Sequence, residues 1–177
     1  MKSSLMIIII LCLGATDLVF SQLDKSFEID GNLLVPTGSL KNKQDLGFEV
    51  GGMGFISTGN PIITIAIGAG YLVLPGKDIM RKRGNMIITS YGADFKPFKV
   101  FIGPYFGNNK GFFLLPAINA NFEHDWSHVG IDVAAGYLFT AGKLGISVKG
   151  KFSMLNPLRK EGEKDKNLAS FGVGILF

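Results

Sequence analysis

After Cys12 the chain contains no further cysteine, so no disulfide framework can hold it together. Long apolar runs are missing as well. Beyond the N-terminus no stretch of eighteen apolar residues occurs, which excludes membrane-spanning helices from the body of the chain. Helical periodicity is equally absent: after residue 22 no segment sustains a 3.6-residue repeat. Charge is sparse, at 18% of residues and a net of +4, too modest an excess to point to nucleic acid. Histidine and tryptophan are nearly lacking, and His124, Trp126 and His128 are the complete set. What remains is apolar and glycine-rich, with 24 glycines in 177 residues.

The N-terminus reads as a cleaved secretory leader. Lys2 supplies a positive start, Leu5 to Leu13 an apolar stretch too short to span a bilayer, and Asp17 interrupts its far side. Ser21 before Gln22 marks the expected cleavage, giving a leader over 1–21 and one domain over 22–177. Cys12 leaves with the leader. It is preceded by Leu11 rather than a small residue, so lipid anchoring there is not expected. Lys2 and Asp17 leave together, and the net charge is unchanged.

The rest of the chain alternates with a period of two. In 143–153, Leu144, Ile146, Val148 and Phe152 share one face, and Ser147, Lys149 and Lys151 the other. In 128–139, Val129, Ile131, Val133, Tyr137 and Phe139 oppose Asp132; near the start, Phe27, Ile29, Leu33 and Val35 oppose Glu28 and Asp30. Segments 46–57, 62–73, 86–96, 98–107 and 112–122 read as strands too, with Glu49, Asp94, Asn119 and Asn121 as polar members. The last, 169–177, sets Ala169, Phe171, Val173, Ile175 and Phe177 against Ser170, Gly172, Gly174 and Leu176. Aromatic residues gather toward strand ends, as interfacial girdles do.

These features predict an all-β, closed, antiparallel up-and-down transmembrane β-barrel. A lysine facing lipid at mid-depth costs about 2–4 kcal/mol, so in a membrane wall Lys149 and Lys151 point into the lumen. There they meet Glu28, Asp30 and Asp132, and a narrow barrel is filled rather than left as a channel. Nine candidate strands cannot close antiparallel. Eight are expected, with Pro116 marking 112–122 as the segment to drop into a loop over the rim; alternatively 27–35 lies outside the ladder and the basic 75–85 connection is periplasmic, and ten strands would need a further segment.

The early strand followed by VPTGSL (35–40), GFEVGGMGF (47–55), IAIGAGYLVL (65–74), AAGYLF (134–139) and the terminal FGVGILF (171–177) resemble the small outer-membrane β-barrel proteins of Gram-negative bacteria, especially those of Bacteroidetes. That resemblance covers essentially the whole chain after the leader. It implies insertion in the outer membrane and no single activity. It also implies that Phe171, Val173, Ile175 and Phe177 form the terminal signal read by the barrel assembly machinery. Outer-membrane lipids and lipopolysaccharide are then the expected partners.

Reactive chemistry is thin. Glu123, His124, Asp125, Ser127 and His128 cluster around Trp126, but sequence neighbours on a tight turn rarely adopt triad geometry, and two histidines without a further spaced ligand do not make a metal site. No catalytic, cofactor or metal residue is assigned. Arg81, Lys82 and Arg83 form the sharpest basic run and could grip lipopolysaccharide phosphates from an external loop. GGMG (51–54) and GAG (68–70) lack the strand-to-helix transition of a phosphate loop. The expected function is therefore a non-enzymatic outer-membrane barrel with a filled lumen, acting through its external loops or in envelope integrity. Two alternatives stay open: a lipid A-modifying enzyme using His124, Ser127 or His128, and a soluble periplasmic lipocalin-like barrel whose apolar face, with Leu144, Ile146 and Val148, lines a ligand cavity.

Overall fold

The computed structural model describes residues 26–58, 60, 62–83, 86–90, 92–107, 110–124, 126–141, 144–158 and 165–177. The expected leader lies outside them. Among the described residues ten strands follow in order: β1 (Ser26–Gly38), β2 (Gly47–Ser57), β3 (Ile63–Val73), β4 (Ile79–Arg83), β5 (Met86–Ser90), β6 (Phe98–Gly107), β7 (Gly111–Glu123), β8 (Trp126–Ala141), β9 (Leu144–Met154) and β10 (Lys166–Leu176). Eight of them close into one antiparallel barrel in the order β1-β2-β3-β6-β7-β8-β9-β10, with β10 returning to β1. This is the up-and-down barrel that the alternation predicts.

The strand left out of the wall is not the expected one. Residues 112–122 lie inside β7, which pairs with both β6 and β8. From 86–96 only β5 is a strand, and it pairs with β4 in a separate two-stranded hairpin within the long connection between β3 and β6. Pro116 is tolerated because of its opposite number. The β6–β7 ladder holds from Phe98 to Ile102 and again at Phe106 and Gly107, and it lapses in between, where Pro104 and Pro116 meet. Neither proline has an N–H to donate, so two potential breakers share one gap. Gly103 stands in the same gap, and a Cβ there would lie 2.1 Å from the Pro116 carbonyl oxygen.

Connections differ at the two ends of the barrel. At one end are the short connections 58–62, 108–110 and 142–143, together with the start of β1 and the finish of β10. At the other are 39–46, 74–97, 124–125 and 155–165. These are called the turn end and the loop end. Gly38 adopts φ +56° where β1 gives way to the first loop, a conformation that glycine reaches without steric cost.

The faces are inverted relative to a soluble barrel. Ile29, Val50, Ile67, Ile102, Ile118, Val133, Ile146, Val148 and Val173 are exposed on the outer wall, while Glu28, Glu49, Lys99, Asp132 and Lys149 are buried inside. The lipocalin-like alternative is overturned here. It required Leu144, Ile146 and Val148 to line the lumen, and they are 53%, 55% and 48% exposed on the outer surface.

Outside, aromatic side chains form two belts. Phe48, Tyr71, Phe98 and Phe122 are exposed near the loop end, and Phe27, Phe106, Phe112, Phe139 and Phe177 near the turn end. Mainly aliphatic residues, with Phe152 and Phe171, fill the wall between them. An eleven-residue strand rising about 3.3 Å per residue and tilted about 45° spans about 25 Å.

Candidate functional site

The alternation that turns apolar residues outward drives the polar ones into the lumen, where they pair. Lys99 on β6 is fully buried and bridges Glu49 on β2, at 2.9 Å, and Asp132 on β8, at 3.0 Å. Lys151 on β9 takes the second oxygen of Glu49 at 2.6 Å. Lys149 holds Glu28 at 2.7 Å and also contacts Asp30. Ser147 donates its hydroxyl to Glu28 at 2.7 Å. Five wall strands are thereby cross-linked through the interior by three ammonium groups. Charged hydrogen bonds in such a low-dielectric space are strong, and the lysines are satisfied only in this arrangement.

All five residues expected in the lumen are thus placed there, and Asp30 and Glu28 share one lysine. Asp132 is the exception to the expected partnering: its bonded lysine is Lys99 rather than Lys149 or Lys151. Lys99 is absent from the expected lumen set. The signal was available, since it alternates with Phe98, Val100 and Ile102 in the same way that Lys149 alternates with Val148.

Apolar plugs lie on both sides of this charged belt. Toward the turn end, Met53, Phe55, Ala66, Tyr105, Phe113, Leu115, Ala117, Ala134 and Leu138 form one buried cluster. Tyr105 sits between Phe55, edge-on at 5.1 Å, and Phe113, stacked at 5.2 Å. Toward the loop end, Leu34, Leu40, Leu72, Leu74, Phe95, Leu155 and Leu168 form a second cluster. Between the plugs, Asp30, Glu49, Asp132, Lys149 and Lys151 border a cavity of about 20 Å³, roughly the room one water needs. The lumen is a packed core, not a passage.

Loops tie the second plug shut. Asp45 N–H donates to Pro75 O, Lys77 N–H to Lys43 O, and the Gln44 side-chain amide to Ala93 O. Leu74 and Phe95 exchange backbone hydrogen bonds at 2.9 Å. Asp94 accepts from Gly76 N–H at 3.1 Å and pairs with Lys96 at 2.7 Å. Its carboxyl is held below the ordinary range, chiefly by the Lys96 hydrogen bond and then by Gly76 N–H. A lowered carboxyl pKa contributes above the usual carboxylate range, so this strap persists at neutral pH and loosens only as pH falls through the depressed value.

Within the reactive cluster, Ser127 and His128 are turned away from each other. Ser127 and His128 are consecutive residues of β8, opposite Phe122 and Asn121, and consecutive strand residues project to opposite faces of the wall. His124 occupies the turn with φ +34°, and Glu123 accepts a hydrogen bond from the Lys96 N–H. Asp125 lies outside the described residues. Among the described residues, no group of three or more His, Cys, Asp or Glu side chains is arranged to hold a metal ion.

Arg81, Lys82 and Arg83 fall on β4, at register positions opposite Ile88, Ile87 and Met86 of β5. The terminal residues close the barrel: Phe177 N–H donates to Phe27 O at 2.9 Å and Phe27 N–H to Phe177 O at 3.3 Å. Phe171, Val173, Ile175 and Phe177 are all exposed on the outer wall.

No protein-family profile matches the chain, and no curated protein matches it in sequence. Among solved structures it is similar to Neisserial surface protein A, with a TM-score of 0.57 at 11% identity, over 86% of this chain and 95% of that one. It is also similar to the outer-membrane protein Ail of Yersinia pestis in a phospholipid bilayer nanodisc, with a TM-score of 0.51 at 15% identity, over 88% of this chain and 100% of that one. At such identity the likeness is one of fold.

Proposed function

We propose that this chain is a small integral outer-membrane barrel, closed to solutes and without catalytic chemistry, whose wall holds a set of external loops at the membrane surface. The observation that carries the proposal is the inversion of faces. A band of exposed aliphatic side chains between two aromatic belts is costly in water and matched to a bilayer of about 30 Å. Buried lysines and carboxylates on the other side of the same strands complete the pattern. Likeness in fold to a barrel studied in a phospholipid bilayer supports the same reading. Membrane barrels of this kind carry short turns on the periplasmic side and long loops outside, which orients the β4–β5 hairpin outward. The wild-type protein, expressed with its leader, is expected in the outer-membrane fraction as a heat-modifiable band, and in planar bilayers its conductance stays at background. A detergent-free soluble protein would reject membrane insertion, and steady conductance would reject the closed lumen.

Two parts of the reading concern particular residues. The basic triplet on the hairpin fits the phosphates of lipopolysaccharide by charge. Replacing Arg81, Lys82 and Arg83 by alanine is expected to weaken binding to lipopolysaccharide-bearing vesicles several-fold at low salt, with no change for neutral phospholipid vesicles. Equal binding by both proteins removes the triplet from the function. Phe177 fits the role of an assembly signal through its outward exposure and its barrel-closing bonds to Phe27. Its deletion is expected to lower outer-membrane levels about tenfold while the refolded protein loses only the two hydrogen bonds to Phe27, each worth about 0.5–1.5 kcal/mol. Unchanged outer-membrane levels would argue against that role.

A further inference from the structure

Most glycines of the barrel wall are required by what packs against them. A Cβ at Gly68, Gly103, Gly130 or Gly174 would lie within 2.5 Å of a neighbouring atom. Gly111 also has open space but is required by its φ of +109°; two other glycines are different. At Gly31 on β1 a Cβ would meet nothing within 4 Å, and at Gly150 on β9 the nearest atom, on the Phe171 ring, is 3.7 Å away. Both lie on the outer face, and the barrel's own packing gives no reason for their lack of a side chain. Glycine weakens a strand interior, and it commonly marks a place where another molecule approaches the backbone.

Gly31 and Gly150, with Ala135 on β8 adjoining Gly150 in register, form the floor of an open groove of about 910 Å³ on the outer wall of β8, β9, β10 and β1. Leu33 and Phe171 border it at mid-wall. Phe112, Tyr137 and Phe139 form its other border near the turn end, held to one another edge-on at 5.0 Å and tilted at 4.6 Å. Its one charged neighbour, Lys149, is committed to Glu28 and Asp30 inside the barrel and leaves the groove without a charge to satisfy. An occupant must therefore be apolar, slender and present at this depth.

We infer that the groove seats an acyl chain of a phospholipid from the leaflet at the turn end. The inference rests on the membrane reading above, because the groove is continuous with the lipid-facing wall. It runs from the turn-end aromatic belt to mid-wall, the depth range of a chain whose headgroup lies at the periplasmic surface. The smooth glycine floor lets the chain lie against backbone, while the clustered rings give it a fixed flank.

The test uses protein extracted from membranes in mild detergent, with bound phospholipid counted by native mass spectrometry. Wild type is expected to retain one phospholipid on most barrels. Gly31→Leu combined with Gly150→Leu, which places side chains into open space, is expected to reduce retention at least tenfold while heat-modifiable mobility stays the same. Ala135→Phe fills the same floor and serves if the double variant does not fold. Retention that is absent in wild type, or equal in wild type and a folded variant, overturns the inference while leaving membrane insertion intact. A wild-type dimer that Gly150→Leu converts to monomer also overturns it, since the groove would then be a contact between two copies. Recovery of wild type only from the soluble fraction would instead overturn the membrane reading beneath it.

Discussion

Replacing Lys99 by methionine is expected to destabilise the barrel by about 3–5 kcal/mol, the usual consequence of leaving buried charge without its partner. Lys99 is fully buried and stands between Glu49 and Asp132. Methionine preserves much of the volume but none of the charge. Glu49 would keep Lys151 at 2.6 Å, whereas Asp132, whose Oδ1 already has no hydrogen-bond partner, would lose the lysine that holds Oδ2. The loss should therefore concentrate on Asp132, and a second substitution tests that. Asp132→Leu in the Lys99→Met background removes the stranded carboxylate and is expected to recover most of the lost stability, because an apolar replacement of a buried ion pair is often neutral or better. Urea midpoints of the reconstituted barrel give both numbers. Additive losses in the double variant would show that the two side chains do not act as a pair.

Tyr105→Ala is expected to cost about 3–5 kcal/mol for a different reason, the loss of a large ring from a packed core. Tyr105 fills the turn-end plug between Phe55 and Phe113, and little else can move into its place because Ala66, Ala117 and Ala134 already bring the walls close. The barrel should unfold at lower urea and still not conduct. The charged belt and the loop-end plug lie beyond the cavity that the substitution opens and still fill the lumen. Conductance after this one change would locate the closure entirely at the turn end and would contradict a lumen filled along its length.

Much of this architecture was legible because a half-buried strand writes its faces into the sequence. The wall strands were recognisable from alternation, and 98–107 agrees with β6 at both ends. The terminal segment is longer than alternation suggested, since β10 begins at Lys166, where charged and polar residues hide the start. Pro116 taken singly is a breaker and points to the wrong segment as the one outside the wall. Its effect depends on Pro104, a partner in another strand, and register across a seam is not visible in one segment. The run 86–96 looked like wall because Met86 to Ser90 is strand-forming, yet its partner is the adjacent basic segment rather than the barrel.

The candidate site divides in the same way. Charges on alternating strands announced a filled lumen, but the choice of partner, Lys99 with Asp132 and Lys149 with Glu28, depends on tilt and closure, which periodicity does not encode. Nor could alternation alone distinguish inside from outside; exposure of Ile146 and Val148 does. The loop-end plug was not legible. Leu40, Leu74, Phe95 and Leu155 lie in connections, where no period orders them, and only the folded loops bring them together.

Lipid contact on the outer wall is the claim on which the rest depends. Because Cys12 is the single cysteine, a Cys12→Ala chain carrying Ile146→Cys or Val148→Cys can be spin-labelled at one site and reconstituted in phospholipid vesicles. At both positions the label should collide freely with dissolved oxygen and hardly at all with a water-soluble nickel chelate. Free access of the nickel chelate to residues 146 and 148 would place this face in water and contradict the account.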